Sequence, residues 1–521
     1  MSKSVRETIE AISISPQSTI RQALRAINTG ALGIALLVEP DSGRFAGLVT
    51  DGDIRRALLK GLGLESSVID VPRPKSKTAL LGTSPENLHH MFSDQVRVVP
   101  LLDEHEHVVD LAILNQRLRL PVAEPSLGER ELHYVSECVL TGWVSSAGAF
   151  VTRFEEMVAA CCGTQYAIAT SSGTTALHLA LLALDIGPGD EVIVPSMTFI
   201  ATANAVRYTG ATPVFVDSEE ETWNIDPAHI ARAITPRTRA IIPVHIYGHP
   251  ANMEPVLSLA QQHRLYVIED AAEAHGARYQ GRPVGGLGDL AIFSFYGNKI
   301  ITTGEGGMVT TSRSDLVDKI RLLRDHGMSR ERRYWHTVLG YNYRLTNLQA
   351  AVGVAQMEKL DAILAEKHRI ARLYTEGLRD IPGIRLPPHA PWAEPVCWLY
   401  SILVEPGRAG RTRDELMMRL NEEGIDTRPL FPPVHRQPIY HTGQNLPVAE
   451  YLAETGLSLP SAIGLRAEDI FRVVEKIRRF FSKSPLSRSA LERNSSGNYA
   501  ATRKVSPQEN SCFPVFLWSQ N

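Results

Sequence analysis

Several things are scarce in this sequence. Among 521 residues there are five cysteines (Cys138, Cys161, Cys162, Cys397 and Cys512), an odd number without metal-ligand spacing. A disulfide framework is therefore excluded, and reduced thiols with no metal site are expected. No apolar run approaches bilayer-spanning length, and the opening MSKSVRETIEAISISPQ lacks the apolar centre of a signal peptide. A cytoplasmic protein with no membrane partner is expected. Neither charge sign dominates: the formal net charge is −3, with both signs interspersed. That leaves no basic surface for nucleic acid, and no helix-turn-helix with a basic face is evident. What remains is an ordinary globular composition, 44% apolar and 21% charged, enough for a core and for two to four domains.

Texture divides the chain in three. Residues 1–120 hold two similar units, each a helical segment, an apolar strand, a polar turn and a second strand. The first runs through TIRQALRAINTGALGIALLVEPDSGRFAGLVTDGDIRRALLKG and the second through ENLHHMFSDQVRVVPLLDEHEHVVDLAIL. Such a duplication suggests units that complete each other's core. Within GLVTDGDIRRAL, Thr50 and Asp53 either cap the following helix or contact a ligand, since both uses need the same oxygens. After a linker at 121–130, apolar runs alternate with amphipathic stretches to residue 482. The runs are QYAIATS, DEVIVPS, TPVFVD, RAIIPVHIYG, LYVIEDA, LAIFSFY and GGMVTT. The alternation predicts an α/β fold with a mainly parallel sheet covered on both faces. Residues 483–521 are rich in Ser, Asn, Arg and Gln without a period, and a disordered tail is expected.

Chemistry-bearing residues gather at predicted strand ends, where ligands bind in open α/β sheets. Lys299 follows the strand in AIFSFYGNKIITTGEGG; burial between apolar strands favours its deprotonated, nucleophilic form. The alternative is a solvated loop lysine. Asp270 ends LYVIED, as a buried carboxylate or as the cap of a following helix, and Glu273 stands three residues on. In ATSSGTTAL, Ser172, Gly173, Thr174 and Thr175 form a strand-to-helix turn suited to an anion, and Ser294 aims a hydroxyl at the same region. Phe199, in VPSMTFIATANAV, is a planar group beside it or an ordinary core residue. A lysine, a carboxylate, a phosphate cup and a ring to stack form the set that pyridoxal 5'-phosphate requires.

The motifs SSGTTALHLA, VPSMTFIATANAV, VHIYGHP, EDAAEAHGA, FSFYGNKIITTGEGG and NYRLTNLQAAVG occur in order. With them, roughly residues 122–482 resemble the DegT/DnrJ/StrS family of nucleotide-sugar aminotransferases. The resemblance implies an aspartate-aminotransferase-type (fold type I) large domain with a mainly parallel sheet. A smaller α+β C-terminal domain, and a homodimer or higher homo-oligomer with sites at the subunit boundary, are also implied. It makes Lys299 the cofactor-bearing lysine, Asp270 the partner of the pyridine nitrogen and Phe199 the stacked ring. Glu273 falls near the phenolic oxygen, and Gly173, Thr174 and Ser294 on the phosphate. Asn342 would reach the phosphate from the partner subunit, and His245 and His326 would line the substrate side. A lysine at 299, where a dehydratase branch has histidine, implies transamination, and the resemblance implies L-glutamate as the donor.

The nearest branch suggests GDP-4-keto-6-deoxymannose as acceptor and GDP-perosamine as product, for surface polysaccharide such as O-antigen. Amination at carbon 3, another nucleotide, or a regulatory protein without turnover stay open. Residues 1–120 resemble a tandem CBS module. That resemblance implies an adenine or guanine nucleotide at Thr50 and Asp53, although VVDLAILN, in the second unit, lacks the Thr-x-x-Asp pattern.

Overall fold

The computed structural model describes residues 5–30, 32–83, 87–88, 91–93, 96–113 and 120–482. The expected tail at 483–521, and much of the second unit's helical segment, lie outside them. The chain forms two compact units, Met1–Leu118 and Arg119–Asn521.

The first unit is built twice from one plan. Strands β1 (Ser13–Ile14), β2 (Ile34–Val38) and β3 (Phe45–Thr50) form one sheet, and β4 (Ala79–Leu80), β5 (Val98–Leu102) and β6 (Val108–Ile113) another. In each, the first pair is parallel and the second antiparallel, with a register shift near the end of the middle strand. The helix Ile20–Gly30 is amphipathic, with Ile20, Ala23, Ala26 and Ile27 buried at helical spacing. They pack on Ala35, Leu37, Val49 and Ile54, so the helix and the alternating strands share one core.

All seven apolar runs of the second unit pair in one sheet. They are β7 (Tyr166–Thr170), β8 (Glu191–Pro195), β9 (Thr212–Val216), β10 (Thr238–Ile241), β11 (Tyr266–Asp270), β12 (Leu290–Ser294) and β13 (Gly307–Thr311). The spatial order is β7-β13-β12-β11-β10-β8-β9. Neighbours from β12 to β9 are parallel. Strand β13 runs antiparallel to both β7 and β12. Helices cover both faces, which is why β8 and β13 are buried along their whole length instead of alternating. The run RAIIPVHIYG is strand only at Thr238–Ile241, because Pro243 cannot donate to the ladder and the chain turns at Ile246–Gly248. Short antiparallel strands at Ile384–Arg385, Ser401–Val404, Gly456–Ser458 and Arg428–Pro429 form a separate sheet. It packs with helices Leu360–Leu378 and Ala467–Ser482 into a second core, giving the smaller α+β portion. Among the described residues no helix is long and apolar enough to cross a membrane.

Candidate active site

The parallel strands all end on the same edge, and a cavity of about 410 Å³ lies there. Gly173, Thr174, Phe199, Asp270, Glu273, Ser294 and Lys299 line it. Segments from 173 to 299 thus converge because β7, β8, β11 and β12 all deliver their carboxyl ends to this edge of the sheet.

Each side chain has a structural reason for its place. Helix Gly173–Ala183 starts with a reciprocal cap between Ser172 and Thr175: Thr175 N–H donates to Ser172 Oγ (3.2 Å) and Ser172 N–H to Thr175 Oγ1 (3.0 Å). The first helical N–H groups, which have no intrahelical acceptor, belong to Gly173 and Thr174. A Cβ at Gly173 would lie 2.9 Å from Ser294 Cβ, so only glycine lets this helix end meet the end of β12. Helix dipole, spare N–H groups and two hydroxyl side chains favour an anion at this corner.

Asp270 is 5% exposed. Thr202 donates to one of its oxygens (2.8 Å) and the Ala272 N–H to the other (3.3 Å). Turns follow it at Ala271–Ala277, not a helix, so it caps nothing. Burial pushes its carboxyl above the ordinary range, opposed by the Thr202 and Ala272 hydrogen bonds and the charge of Lys299. A cationic group inside the cavity would relieve that penalty. Glu273 is buried too, and burial likewise raises it. It accepts from Tyr247 N–H (2.8 Å) and stands 3.5 Å from Lys299 Nζ. Tyr247 adopts φ 51° to present that N–H, a conformation L-residues rarely take. Lys299 lies on the tight turn after β12, its N–H bonded to Tyr296 O (2.9 Å), with a side chain 12% exposed. Anion corner, buried carboxylate, lysine and volume together fit pyridoxal 5'-phosphate, whose phosphate, pyridine nitrogen and aldehyde need those three partners.

Three expected residues lie elsewhere. His245 is a correction: its side chain is fully buried, Nε2 meets Glu269 (3.1 Å), and Nδ1 accepts the Ala251 N–H (3.0 Å). Side chains alternate along a strand, so Glu269 points away from the cavity that Asp270 faces, and it takes His245 with it. Glu269 also accepts from the Gly285, Leu287 and Gly288 N–H groups, so although burial works against it, these bonds and His245 hold its carboxyl below the usual value. His326 is an exposed turn residue at φ 58° whose carbonyl accepts from His336, and it does not line this chain's cavity. Asn342 is exposed, accepts from Arg344 (3.2 Å) and does not line this chain's cavity either.

The sequence reading missed Thr202, Tyr247, Arg428, Phe431 and Trp398, all of which line the cavity. Tyr247, Phe431 and Trp398 form an aromatic row. Tyr247 stacks on Trp398 at 6.1 Å and 12°, and on Phe431 at 5.3 Å and 18°. Phe431 in turn meets Phe199 at 5.8 Å. Of the three, Tyr247 sits inside the motif VHIYGHP, whereas Phe431 and Trp398 lie outside the motifs quoted above.

In the first unit, Thr50 and Asp53 complete a capping box on helix Asp51–Leu59. Thr50 N–H (3.0 Å) and hydroxyl (2.7 Å) reach one Asp53 oxygen, and Arg56 the other (2.6 Å). The pair also borders a cavity of about 300 Å³ with Lys75, Lys77 and Arg97.

A mainly parallel seven-stranded sheet with this lysine, carboxylate and helix end at its carboxyl edge defines a fold type I pyridoxal-phosphate enzyme. The comparisons narrow the class. Residues 125–478 match the model of the DegT/DnrJ/EryC1/StrS aminotransferase family, and residues 3–60 match a CBS domain. The GDP-perosamine synthase of Caulobacter vibrioides is 50% identical over 359 residues, 68% of this chain and 96% of that protein. That of Escherichia coli O157:H7 is 45% identical over 364 residues, 70% and 99% of the two chains. The structure of DesV from Streptomyces venezuelae superposes with a TM-score of 0.65 at 42% identity, over 68% of this chain and 95% of that one. The chain belongs to the DegT/DnrJ/EryC1/StrS aminotransferase family and is a sugar aminotransferase carrying an amino-terminal CBS domain.

Proposed function

We propose that the protein moves an amino group from L-glutamate to the keto carbon of GDP-4-keto-6-deoxymannose, giving GDP-perosamine, with pyridoxal 5'-phosphate held by Lys299. One observation carries the reading: Lys299, Asp270 and the Gly173–Thr174 helix end share one cavity. The acceptor rests on the likeness to two GDP-perosamine synthases. Bound there, the cofactor would supply an electron-withdrawing ring that stabilises negative charge at the substrate carbon. Asp270 would hold a proton on the pyridine nitrogen, its own charge settled by the cation it faces. Gly173, Thr174 and Ser294 would hold the phosphate, and Phe199 would cover a ring face. Lys299, once free, would carry a proton between the substrate carbon and the cofactor. Asn342 is proposed to complete the phosphate site of a partner subunit in a homodimer.

Two measurements test this. Borohydride reduction should fix the cofactor mass on the Lys299 peptide. Incubation with glutamate and a panel of nucleotide-linked 4-keto-6-deoxy sugars should then yield an amino sugar by mass analysis, fastest with the GDP substrate. A cofactor-free Lys299 peptide overturns the catalytic assignment; preference for another nucleotide, or for a 3-keto sugar, overturns only the substrate.

A second proposal concerns the first unit. The cavity beside Thr50 and Asp53 has three cations on its wall, which favours a nucleotide with its phosphates. Asp53 is already engaged by Thr50 and Arg56, so binding requires it to exchange partners. Calorimetric titration of the full-length protein with adenine and guanine nucleotides decides; no heat with any of them leaves a packing element.

A further inference from the structure

Trp398 is 3% exposed and is fixed from three directions. Its indole N–H donates to Asn298 O (2.7 Å), the carbonyl next to Lys299. Its backbone N–H donates to Tyr247 O (3.1 Å). Its carbonyl accepts from Lys367 Nζ (2.9 Å), a buried lysine that also donates to Ser461 O (2.6 Å). Both neighbouring turns are tight. Cys397 has φ 48°, and at Gly248 (φ 89°) a Cβ would sit 3.1 Å from Trp398 N. So anchored, the indole turns its face to Lys299 Nζ, 3.9 Å from the ring centroid.

We propose that Trp398 is a positioning residue for the reacting amine: its N–H fixes the turn that carries Lys299, and its ring face holds the charged Nζ whenever the lysine is free of cofactor. The inference rests on the reading that Lys299 carries the cofactor. An amine that leaves and returns in every cycle needs a resting place that stabilises its charge without taking its proton. Glu273 pairs with the same ammonium at 3.5 Å, but a carboxylate is also an acceptor for its proton. An indole face has no such acceptor; it attracts a desolvated ammonium through its quadrupole and releases it unchanged. The other titratable groups whose charge reaches Lys299 are Asp270 and His275, the latter pushed by burial down to about 3 and therefore neutral. Glu305 and Arg428 line the same cavity.

Wild type, W398F (which keeps a ring face but loses the N–H) and W398L (which loses both) provide the test. Borohydride reduction of the cofactor-loaded proteins comes first. Absence of the cofactor mass from the wild-type Lys299 peptide overturns the parent reading and this one together. With the mass present, reductive methylation of Lys299 in cofactor-free protein is followed against pH by peptide mass spectrometry. The midpoint should fall in W398L by the equivalent of about 2- to 30-fold in the ammonium-to-amine ratio, and by less in W398F. A change in plateau rate alone, with the wild-type midpoint kept, reports accessibility and overturns the proposal while leaving the parent reading intact. For turnover, kcat of W398L should drop about tenfold with the donor KM within about twofold; an unchanged kcat overturns the proposal. If W398L does not fold, W398M, which also removes the ring face, decides: a lowered midpoint upholds the proposal and an unmoved one overturns it.

Discussion

Two aspartates, one in each unit, are built almost alike and put to different uses. Asp53 is 3% exposed and Asp270 5%, and each accepts a threonine hydroxyl, at 2.7 and 2.8 Å. At Asp53 the threonine lies three residues away, and Arg56 closes the other oxygen, so one helical turn satisfies the carboxylate. At Asp270 the threonine comes from 68 residues away, and among the described residues no side-chain cation touches the carboxylate. Its neighbourhood opens instead on a cavity with a lysine and a helix end. A carboxylate neutralised by its own turn stabilises a fold; one left short of a counter-ion by the packing of distant segments is ready for a ligand.

The comparison is broken hardest at the catalytic unit. K299A should lose about a thousandfold or more in kcat for the proposed glutamate-dependent amination, since on that reading it removes both the cofactor's anchor and the proton carrier. The check is initial-rate kinetics together with loss of the borohydride-fixed mass. Next comes D270N, isosteric but neutral. It should lower kcat about a hundredfold with the cofactor retained in the absorbance spectrum. A D270N enzyme within a few fold of wild type would show that the charge facing the cavity has no part in the reaction.

How far the sequence discloses this contrast depends on distance along the chain. All seven strands were legible because β-branched runs between turn residues make a local signal, and so were Lys299 and Asp270, which follow such runs directly. The Thr50–Asp53 cap was legible as well, three residues being within reach of inspection. Thr202, Trp398 and Phe431 were not, because their roles come from tertiary packing of segments far apart. Nothing in CWLY says that an indole will meet a lysine 99 residues earlier. His245 misled for a subtler reason. Its motif does reach the strand edge, but the alternation of Glu269 and Asp270 assigns it to the buried side of the sheet. A period-two argument applied to LYVIED would have separated the two carboxylates and left His245 with the wrong one for substrate.

Stability sharpens the comparison, because the two aspartates should respond with opposite signs. Both oxygens of Asp53 face donors, so the amide of D53N must turn its NH2 toward one of them. About 1 kcal/mol of destabilisation is expected, near the cost of losing a helix cap. Asp270 carries a value raised by burial. A carboxyl with a folded value above its unfolded one binds its proton more readily when folded. Its contribution to stability is therefore full below the unfolded value near 4 and is lost as pH rises through the folded value. Cofactor-free D270N escapes that loss, and its NH2 can face Thr202, whose hydroxyl is free to turn and donate to Thr198 Oγ1 (3.0 Å) instead, so its melting temperature should exceed that of cofactor-free wild type at pH 7 and approach it toward pH 4. Added pyridoxal 5'-phosphate should reverse the order, because it stabilises the protein that binds it better. Equal shifts in the two variants at every pH would erase the distinction.

The smallest effects belong to the threonines, and they divide by kind instead of size. In T50V the helix Asp51–Leu59 loses its cap hydroxyl, which accepts from Asp53 N–H (3.0 Å). Chemical denaturation should report roughly 0.5–2 kcal/mol, the range for such caps. In T202V the hydroxyl lost is the one that supports Asp270; it stands in the first turn of the helix Ala201–Tyr208 but caps no backbone N–H there. That hydroxyl is among the bonds that oppose the burial of Asp270. Without it the carboxyl should rise further, and the acid limb of the kcat profile should move to higher pH while kcat at its plateau falls only about threefold. The shift has that sign because a less stabilised carboxylate keeps its proton to higher pH, and a protonated Asp270 cannot hold the pyridine nitrogen cationic. A T202V enzyme with lowered stability but an unmoved acid limb would make Thr202 a second Thr50, a packing hydroxyl, and would leave Asp270 to be tuned by burial, the Ala272 N–H and the charge of Lys299.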